Sequence, residues 1–499
     1  MRLLLLGLQP PRLRERSAGR GSQQGRQLAA EGANRHLCGG RLQGRQPDQL
    51  QRFVRELGGL AALPDRRQGH RVTLASRPRS PHAHVWRSAR GHHLFVVNGS
   101  RLFDVEAEQF AQLDAAISAG TEAAVLEQLG VGGTAFIDDQ PPQVPVHALS
   151  LAVAQKCNLG CTYCYAQQGE FGGAARDMAL ETALQAVDLL VAATPPGGKF
   201  NLAFLGGEPL ANRAVLRAAT RHAAEAAAQR GVTPSFAITT NGTLLNSSDA
   251  EFFESHGFAV TISLDGRAED HDRLRPFKGG RGSFDRIMTN VRPMLAGQIR
   301  MQVSARVTVT PDNLGLRPVL DDFIAQGFHS VGFSALLNAP NGQGEMQPDQ
   351  LEVMLAELIQ CGEEFERRTA AGHPYPFANM QNAMREISRG THRPYPCGAG
   401  AGYFGVSAEG ELAACHRFVG DDSGAMGTLA TGVDPERQSR WLTERHVHRQ
   451  TPCNACWARY LCGGGCHHEV LGRGRPACDF IRSWLHYCLE AYLRLGGAP

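Results

Sequence analysis

Cys157, Cys161 and Cys164 crowd one short stretch, "QKCNLGCTYCYA", in a C-x3-C-x2-C pattern. Thiolates are the usual protein ligands of iron–sulfur clusters. A closed zinc tetrahedron draws instead on four ligands, often as paired C-x2-C knuckles. Three thiolates on a cubane leave one iron without a protein ligand, and that iron can take another molecule. Seven more cysteines sit near the C-terminal end: Cys397, Cys415, Cys453, Cys456, Cys462, Cys466 and Cys478. Thirteen cysteines in a chain expected to be cytoplasmic speak for metal or catalysis rather than disulfides. Cys38, Cys361 and Cys488 fall outside both groups and read as buried thiols. Between the two groups lies "FLGGEPL", with Gly206, Gly207 and Glu208. Glycine there permits close backbone approach to a ligand, and the carboxylate can pair with an ammonium.

Strands must position these groups. Apolar runs predict strands at Leu149–Val153, Asn201–Leu205, Ser235–Thr239, Ala259–Leu264, Val303–Val309 and Ser330–Leu336. Helical spacing falls between them, at Leu180–Ala192, Arg213–Gln229, Asp249–His256, Ser283–Leu295 and Leu316–Ala325. Strands alternating with helices imply parallel pairing through right-handed crossovers. Such a sheet curls into a full or partial barrel with its chemistry at the C-terminal strand ends. The first cysteine follows the first strand, Gly206 to Glu208 the second, Asn241 the third, and Ser263 and Asp265 the fourth, while Arg306 lies on the fifth. Taken alone, Ser263 and Asp265 read equally as helix caps, and Arg306 as an edge-strand surface residue.

Ahead of the barrel, "HLFVVNGSRLFDV" reads as a hairpin about Asn98–Gly99. Helical spacing follows in "EAEQFAQLDAAIS" and "EAAVLEQLG", then the Pro-rich linker "DDQPPQVPVH". Residues 1–82 are expected to be a disordered basic extension, because Gly, Gln, Arg and Pro bury too little apolar surface. Residues 1–90 hold 18 arginines, no lysine and 5 acids. That imbalance carries no aromatic interleaving or binding module, so nucleic acid is not an expected partner. No run approaches the ~20 apolar residues of a membrane span.

The strand followed by C-x3-C-x2-C-Y resembles the core of radical S-adenosylmethionine (SAM) enzymes over residues 142–340. The resemblance implies that Cys157, Cys161 and Cys164 hold a [4Fe–4S] cluster whose fourth iron is chelated by SAM. Reduction of that cluster then releases a 5′-deoxyadenosyl radical, with the electron coming from a donor such as flavodoxin or ferredoxin. It further implies that Gly206, Gly207 and Glu208 hold the methionyl amino group, and that Ser263 and Arg306 lie near the ribose and carboxylate. Tyr163 would lie beside the adenine, with "SVGFSALL" supplying apolar contact.

The C-terminal cysteine spacing resembles the SPASM domain of radical SAM enzymes that act on peptides, here residues 393–499. That implies two auxiliary [4Fe–4S] clusters, one on Cys453, Cys456, Cys462 and Cys478 and one on Cys397, Cys415 and Cys466. Sulfatase-maturing relatives add a fourth ligand where this chain has Tyr403, so the inner cluster lacks one unless Cys361 or Cys488 supplies it. Those relatives also carry a proton-abstracting Asp where this chain has His416. The resemblance is therefore nearer to thioether-forming maturases, such as that of quinohaemoprotein amine dehydrogenase. Residues 83–141 resemble the winged-helix-type module, with its linker, that grips a leader peptide, and residues 341–392 read as a helical bridge.

The expected architecture is α/β: a partial (β/α)6 radical SAM barrel, a C-terminal Cys-rich SPASM domain and a small N-terminal α+β module. The expected activity is thioether cross-linking of a ribosomally made polypeptide bearing a leader. Formylglycine formation in a sulfatase is the alternative within the superfamily. A non-enzymatic iron–sulfur or zinc scaffold is the alternative outside it.

Overall fold

The turn at Asn98–Gly99 forms, with Gly99 at φ +88 and the Ser100 N–H bonded to the Val97 carbonyl at 3.1 Å. It belongs to a computed structural model that describes residues 14–15, 80–132 and 144–497. Apart from 14–15 and 80–82, the extension expected to be disordered lies outside the described residues. Four strands form the first sheet: β1 (Arg14–Glu15), β2 (Ala83–Ser88), β3 (Gly91–Val96) and β4 (Arg101–Val105), in the order β1-β4-β3-β2 and antiparallel throughout. The β2 strand was not expected, because its apolar residues are broken by histidine. His84 is nevertheless buried, stacked on Trp457 with ring centroids 4.1 Å apart. Alternation sorts β3 between two cores. Leu94 and Val96 pack with Phe110 and Leu113 of the helix Ala107–Ala119, whereas Phe95 and Trp86 join the main core.

The second sheet is built on β5 (Ala148–Gln155), all eight residues of which are buried. A short β6 (Arg176–Asp177) pairs with its C-terminal end. Then come β7 (Lys199–Gly206), β8 (Thr233–Thr240), β9 (Ala259–Ser263), β10 (Gln302–Val309) and β11 (Ser330–Ala335). Neighbours from β5 through β7, β8, β9 and β10 to β11 are all parallel. The expected strands and intervening helices thus form in the expected order. In β10 the period of two is plain: Val303, Ala305, Val307 and Val309 are buried, while Ser304, Arg306 and Thr308 face the other way. One face of β10 is therefore polar.

The C-terminal region does not stand apart from this sheet. Strand β12 (Tyr403–Val406) pairs parallel with β5, setting Tyr403 opposite Ala148, and the sheet continues antiparallel through β13 (Glu411–Ala413), β14 (Ala425–Thr428) and β15 (Gly432–Val433). The helices Pro348–Ala370 and Ala378–Ser388 pack against the last helix, Cys478–Arg494. There Glu366 accepts from Tyr487 Oη at 2.6 Å and Arg494 Nε at 2.7 Å. No helix among the described residues is long and apolar enough to cross a membrane.

Candidate active site

The thiol loop leaves β5 at its C-terminal end and is held from three sides. Gly207 lies against it so closely that a Cβ would stand 2.2 Å from the Lys156 oxygen, and a Cβ on Gly206 would stand 2.4 Å from the Ala154 oxygen. The glycine pair thus serves approach to the cysteine loop's own backbone. Asn241 donates through Nδ2 to Asn158 Oδ1 at 2.9 Å and to Cys157 Sγ at 3.6 Å. Arg275 brings Nη1 within 3.9 Å of Cys161 Sγ. Gly207→Ala is expected to cost most of the loop's iron on reconstitution and at least tenfold in SAM cleavage. Gly279→Ala, whose Cβ meets nothing within 4 Å, should leave both unchanged.

All three thiols are half-buried. Burial raises the Cys157 pKa, and the charges of Glu208 and Cys164 raise it further. Burial pushes Cys161 up to about 12 in spite of Arg275. Metal must therefore displace protons on binding. No three His, Cys, Asp or Glu side chains among the described residues converge on a single-ion position. The three thiols feel one another's charge.

Glu208, expected to meet an ammonium, is fully buried and turned inward. Its carboxylate accepts from Leu210 N at 3.0 Å, Thr240 Oγ1 at 2.7 Å and Asn241 N at 2.8 Å. Burial still raises its pKa. The side chain ties the end of β7 to that of β8, while the half-buried Gly206 and Gly207 lie at the loop. Asp265 is not a helix cap. It accepts from Tyr163 Oη, from Arg275 Nε at 2.7 Å and from Thr308 N at 3.0 Å. Tyr163 is thereby fixed, with the Arg275 guanidinium 5.3 Å from its ring centroid. Ser263 is half-buried at the end of β9.

Arg306 is no edge-strand residue, since β10 lies between β9 and β11. It donates to Ser334 on β11 and makes no ion pair among the described residues. The side chain is solvent-accessible, yet burial lowers its pKa, with Glu469 raising it and Arg417 lowering it. Glu469 and Arg417 belong to the C-terminal region, so Arg306 faces that region from the barrel.

The C-terminal thiols lie near one another in that region. Cys453, Cys456, Cys462, Cys466 and Cys478 line one hollow, and Cys453 feels the charge of Cys462, Cys478 and Cys456. Cys415 feels Cys397 and Cys466, and Arg417 Nη1 donates to Cys466 Sγ at 3.5 Å. Burial raises Cys415 strongly and Cys397 to about 11. Tyr403 is buried, with its hydroxyl 2.8 Å from His416 Nδ1. Burial lowers His416 to about 3, so its imidazole is neutral at physiological pH. Neither Cys361 nor Cys488 joins this set. Cys361 lies among Arg317, Glu357 and Asp321, and Cys488 Sγ contacts Met380 Sδ at 3.9 Å, both in the helical packing.

Three residues of the site escaped sequence reading: Tyr165, Arg275 and Arg417. Tyr165 senses both Cys164 and Cys415, which places it between the two thiol sets, and the Arg417 guanidinium lies 5.3 Å from its ring centroid. The only sequence signal for them was adjacency to a cysteine, for Tyr165, or near-adjacency, for Arg417.

A parallel partial barrel with three thiols at the mouth of its first strand defines a cluster-dependent cofactor enzyme. Residues 151–313 match the radical SAM superfamily, and the chain is a radical SAM enzyme, in a superfamily that uses a [4Fe–4S] cluster and SAM. It is 26% identical over 357 residues to a serine-type anaerobic sulfatase-maturating enzyme of Klebsiella aerogenes, spanning 68% of this chain and 84% of that one. Over 207 residues it is 28% identical to a cysteine-type anaerobic sulfatase-maturating enzyme of Clostridium novyi, covering 40% of this chain and 53% of the relative. Its fold is like that of native anSMEcpe with bound AdoMet, at a TM-score of 0.57 and 18% identity, across 71% of this chain and 99% of that one.

Proposed function

We propose that this enzyme forms thioether links between a cysteine sulfur and a carbon of a ribosomally made polypeptide. The observation that carries the reading is the trio Cys397, Cys415 and Cys466 beside a tyrosine. Tyr403 stands six positions after Cys397, its hydroxyl is engaged by His416, and Cys361 and Cys488 are occupied elsewhere. When bound on Cys157, Cys161 and Cys164, a cluster with SAM would supply hydrogen-abstracting radical chemistry, and a cluster held by Cys397, Cys415 and Cys466 would have room to take a substrate thiol. Cys453, Cys456, Cys462 and Cys478 would hold a further cluster with a full set of thiolates.

The chain's own groups orient the reactants. Asp265 holds Tyr163 and Arg275 against the loop, Glu208 locks the strand ends beneath it, and Arg306, which makes no ion pair among the described residues, offers a cation to a carboxylate. Tyr403 engages His416 at Nδ1 and so fixes the ring. Arg417 lies over the ring of Tyr165, which feels both Cys164 and Cys415.

A polypeptide substrate agrees with the sulfatase-maturating relatives and with the likeness of fold, at a TM-score of 0.56, to native anSMEcpe with bound AdoMet and Cp18Cys peptide. The N-terminal module would grip the substrate's leader by strand addition. Its β4 edge already accepts an extended segment, since Arg14–Glu15 pairs there antiparallel. The electron would come from a small carrier such as flavodoxin or ferredoxin.

The relatives favour a second reading, oxidation of a sulfatase Cys or Ser to formylglycine. Mass spectrometry of a co-expressed Cys-rich peptide separates the two. A thioether removes two hydrogens per link, keeps the sulfur and blocks one cysteine from alkylation. Formylglycine from Cys loses the sulfur. Formylglycine from Ser leaves every cysteine alkylatable and creates a carbonyl that takes a hydrazide. The expected result is the blocked cysteine.

A further inference from the structure

Cys466 begins the helix His467–Arg473, and the arginine at its far end reaches the loop that follows β11. Arg473 Nη1 donates to the Leu337 and Met346 carbonyls at 3.0 and 3.1 Å. Its Nε pairs with Glu345 Oε2 at 3.0 Å. The other Glu345 oxygen accepts from Ala339 N at 2.9 Å, and Met346 N donates to the Leu336 carbonyl at 2.9 Å. One guanidinium therefore fastens both ends of the 336–346 loop. Two further contacts come from the same helix. A Cβ on Gly472 would stand 2.3 Å from Asn338 Nδ2, and His468 Nδ1 lies 3.5 Å from that same nitrogen. Side-chain exposure of the Arg473–Glu345 pair is only 19% and 13%, which sets it apart from a solvated surface bridge.

What this loop carries on its inner side matters for the site. Leu336 and Ala339 pack with Tyr163 and Leu274 in an apolar cluster separate from the main core. Tyr163 stands between Cys161 and Cys164 in the chain, so this is an apolar wall beside the thiol loop. A purine base buries well against such a wall, provided the wall keeps its shape. A loop tied down at one end only would have to be ordered by the ligand itself, at a cost in affinity.

We propose that Arg473 and Glu345 are positioning residues for the adenine of SAM. The helix that starts at Cys466 braces the 336–346 loop, and through it the C-terminal region sets how tightly the barrel holds the adenosyl half of the cofactor. This rests on the reading of the thiol loop as the SAM site.

Calorimetry on the anaerobically reconstituted full-length protein, with 5′-deoxyadenosine and with L-methionine as separate ligands, tests it. Arg473→Met and Glu345→Gln should each weaken 5′-deoxyadenosine binding about tenfold, since each removes charge-assisted hydrogen bonds. The double variant should lose little more than either single one, because both act on the same clamp. Methionine affinity and iron content should stay at the wild-type level. Arg473→Lys, with one ammonium in place of a fork, should restore only part of the loss. Should the Arg473 variants fail to fold, Gly472→Ala displaces Asn338 while leaving the ion pair intact and should show the same selective loss. Unchanged 5′-deoxyadenosine binding in the folded variants overturns the proposal. So does an equal loss of methionine binding or of iron, which marks a merely structural helix. Wild-type protein that binds neither ligand overturns the SAM-site reading itself, and the brace with it.

Discussion

Replacing Cys157, Cys161 and Cys164 together by alanine should abolish SAM cleavage and remove about four irons, the content of one cubane. The iron on the C-terminal thiols should remain. The structure gives the reason for the separation. The three thiols lie on one loop at the end of β5, and Gly206, Gly207, Asn241 and Arg275 of the barrel hold it beside the thiols, while the C-terminal region meets it at Tyr165, through Arg417 and His416. Five of the C-terminal thiols line a hollow that holds none of the three loop thiols, and Cys397 and Cys415 lie by Cys466, one of the five. Half-buried alanines in place of the thiols leave no unpaired charge and open little space, so the barrel should keep its fold. Iron analysis and the yield of 5′-deoxyadenosine, measured on the same reconstituted sample, check both halves of the statement. Cleavage that persists in the triple variant would refute the assignment of these thiols.

Much of the barrel was legible because its signals are local. Eight consecutive residues of Ala148–Gln155 are buried, as a strand covered on both faces requires, and the sequence there is correspondingly apolar. Helix edges were displaced where side-chain caps decided them. Asn246 caps the helix that begins at Ser247 by accepting from Asp249 N, so the apolar pattern alone started it two residues late. The union of β12 with β5 was not legible, because it joins segments far apart in the chain and leaves no periodic trace. The inward turn of Glu208 was missed for a related reason. A carboxylate at a strand end looks the same in sequence whether it meets a ligand or three donors of its own chain. Arg275 and Arg417 matter only through the thiols and rings they approach, and no spacing rule marks an arginine that will do so. The thiol sets themselves were grouped from spacing and resemblance. The structure brings all seven near one another without drawing that division: Cys466 lines the hollow of Cys453, Cys456, Cys462 and Cys478 and also lies by Cys397 and Cys415.

The inner trio carries the other large expected effect. Cys415→Ala should end cross-linking while SAM cleavage continues, uncoupling radical formation from product. Tyr403→Cys should do the same by the opposite route, adding a thiol where a vacant position is needed. Tyr403 is 3% exposed, its ring packs in the core, and its hydroxyl reaches His416, so any small replacement also costs packing and a hydrogen bond. That loss is about 3–5 kcal/mol for an aromatic side chain. Tyr403→Ser isolates the sulfur, because it leaves nearly the same space and frees His416 in the same way. Both variants should therefore lose similar thermal stability, and only the cysteine variant should gain a ligand. Cross-linking in Tyr403→Cys should then fall below that of Tyr403→Ser by on the order of a hundredfold, the loss typical of a misplaced reactant. SAM cleavage should be equal in the two. Cys361→Ala and Cys488→Ala should leave the inner iron unchanged, since both thiols lie in the helical packing. Equal cross-linking in the cysteine and serine variants would rule out a vacant position on the trio, and with it the thioether reading that depends on one.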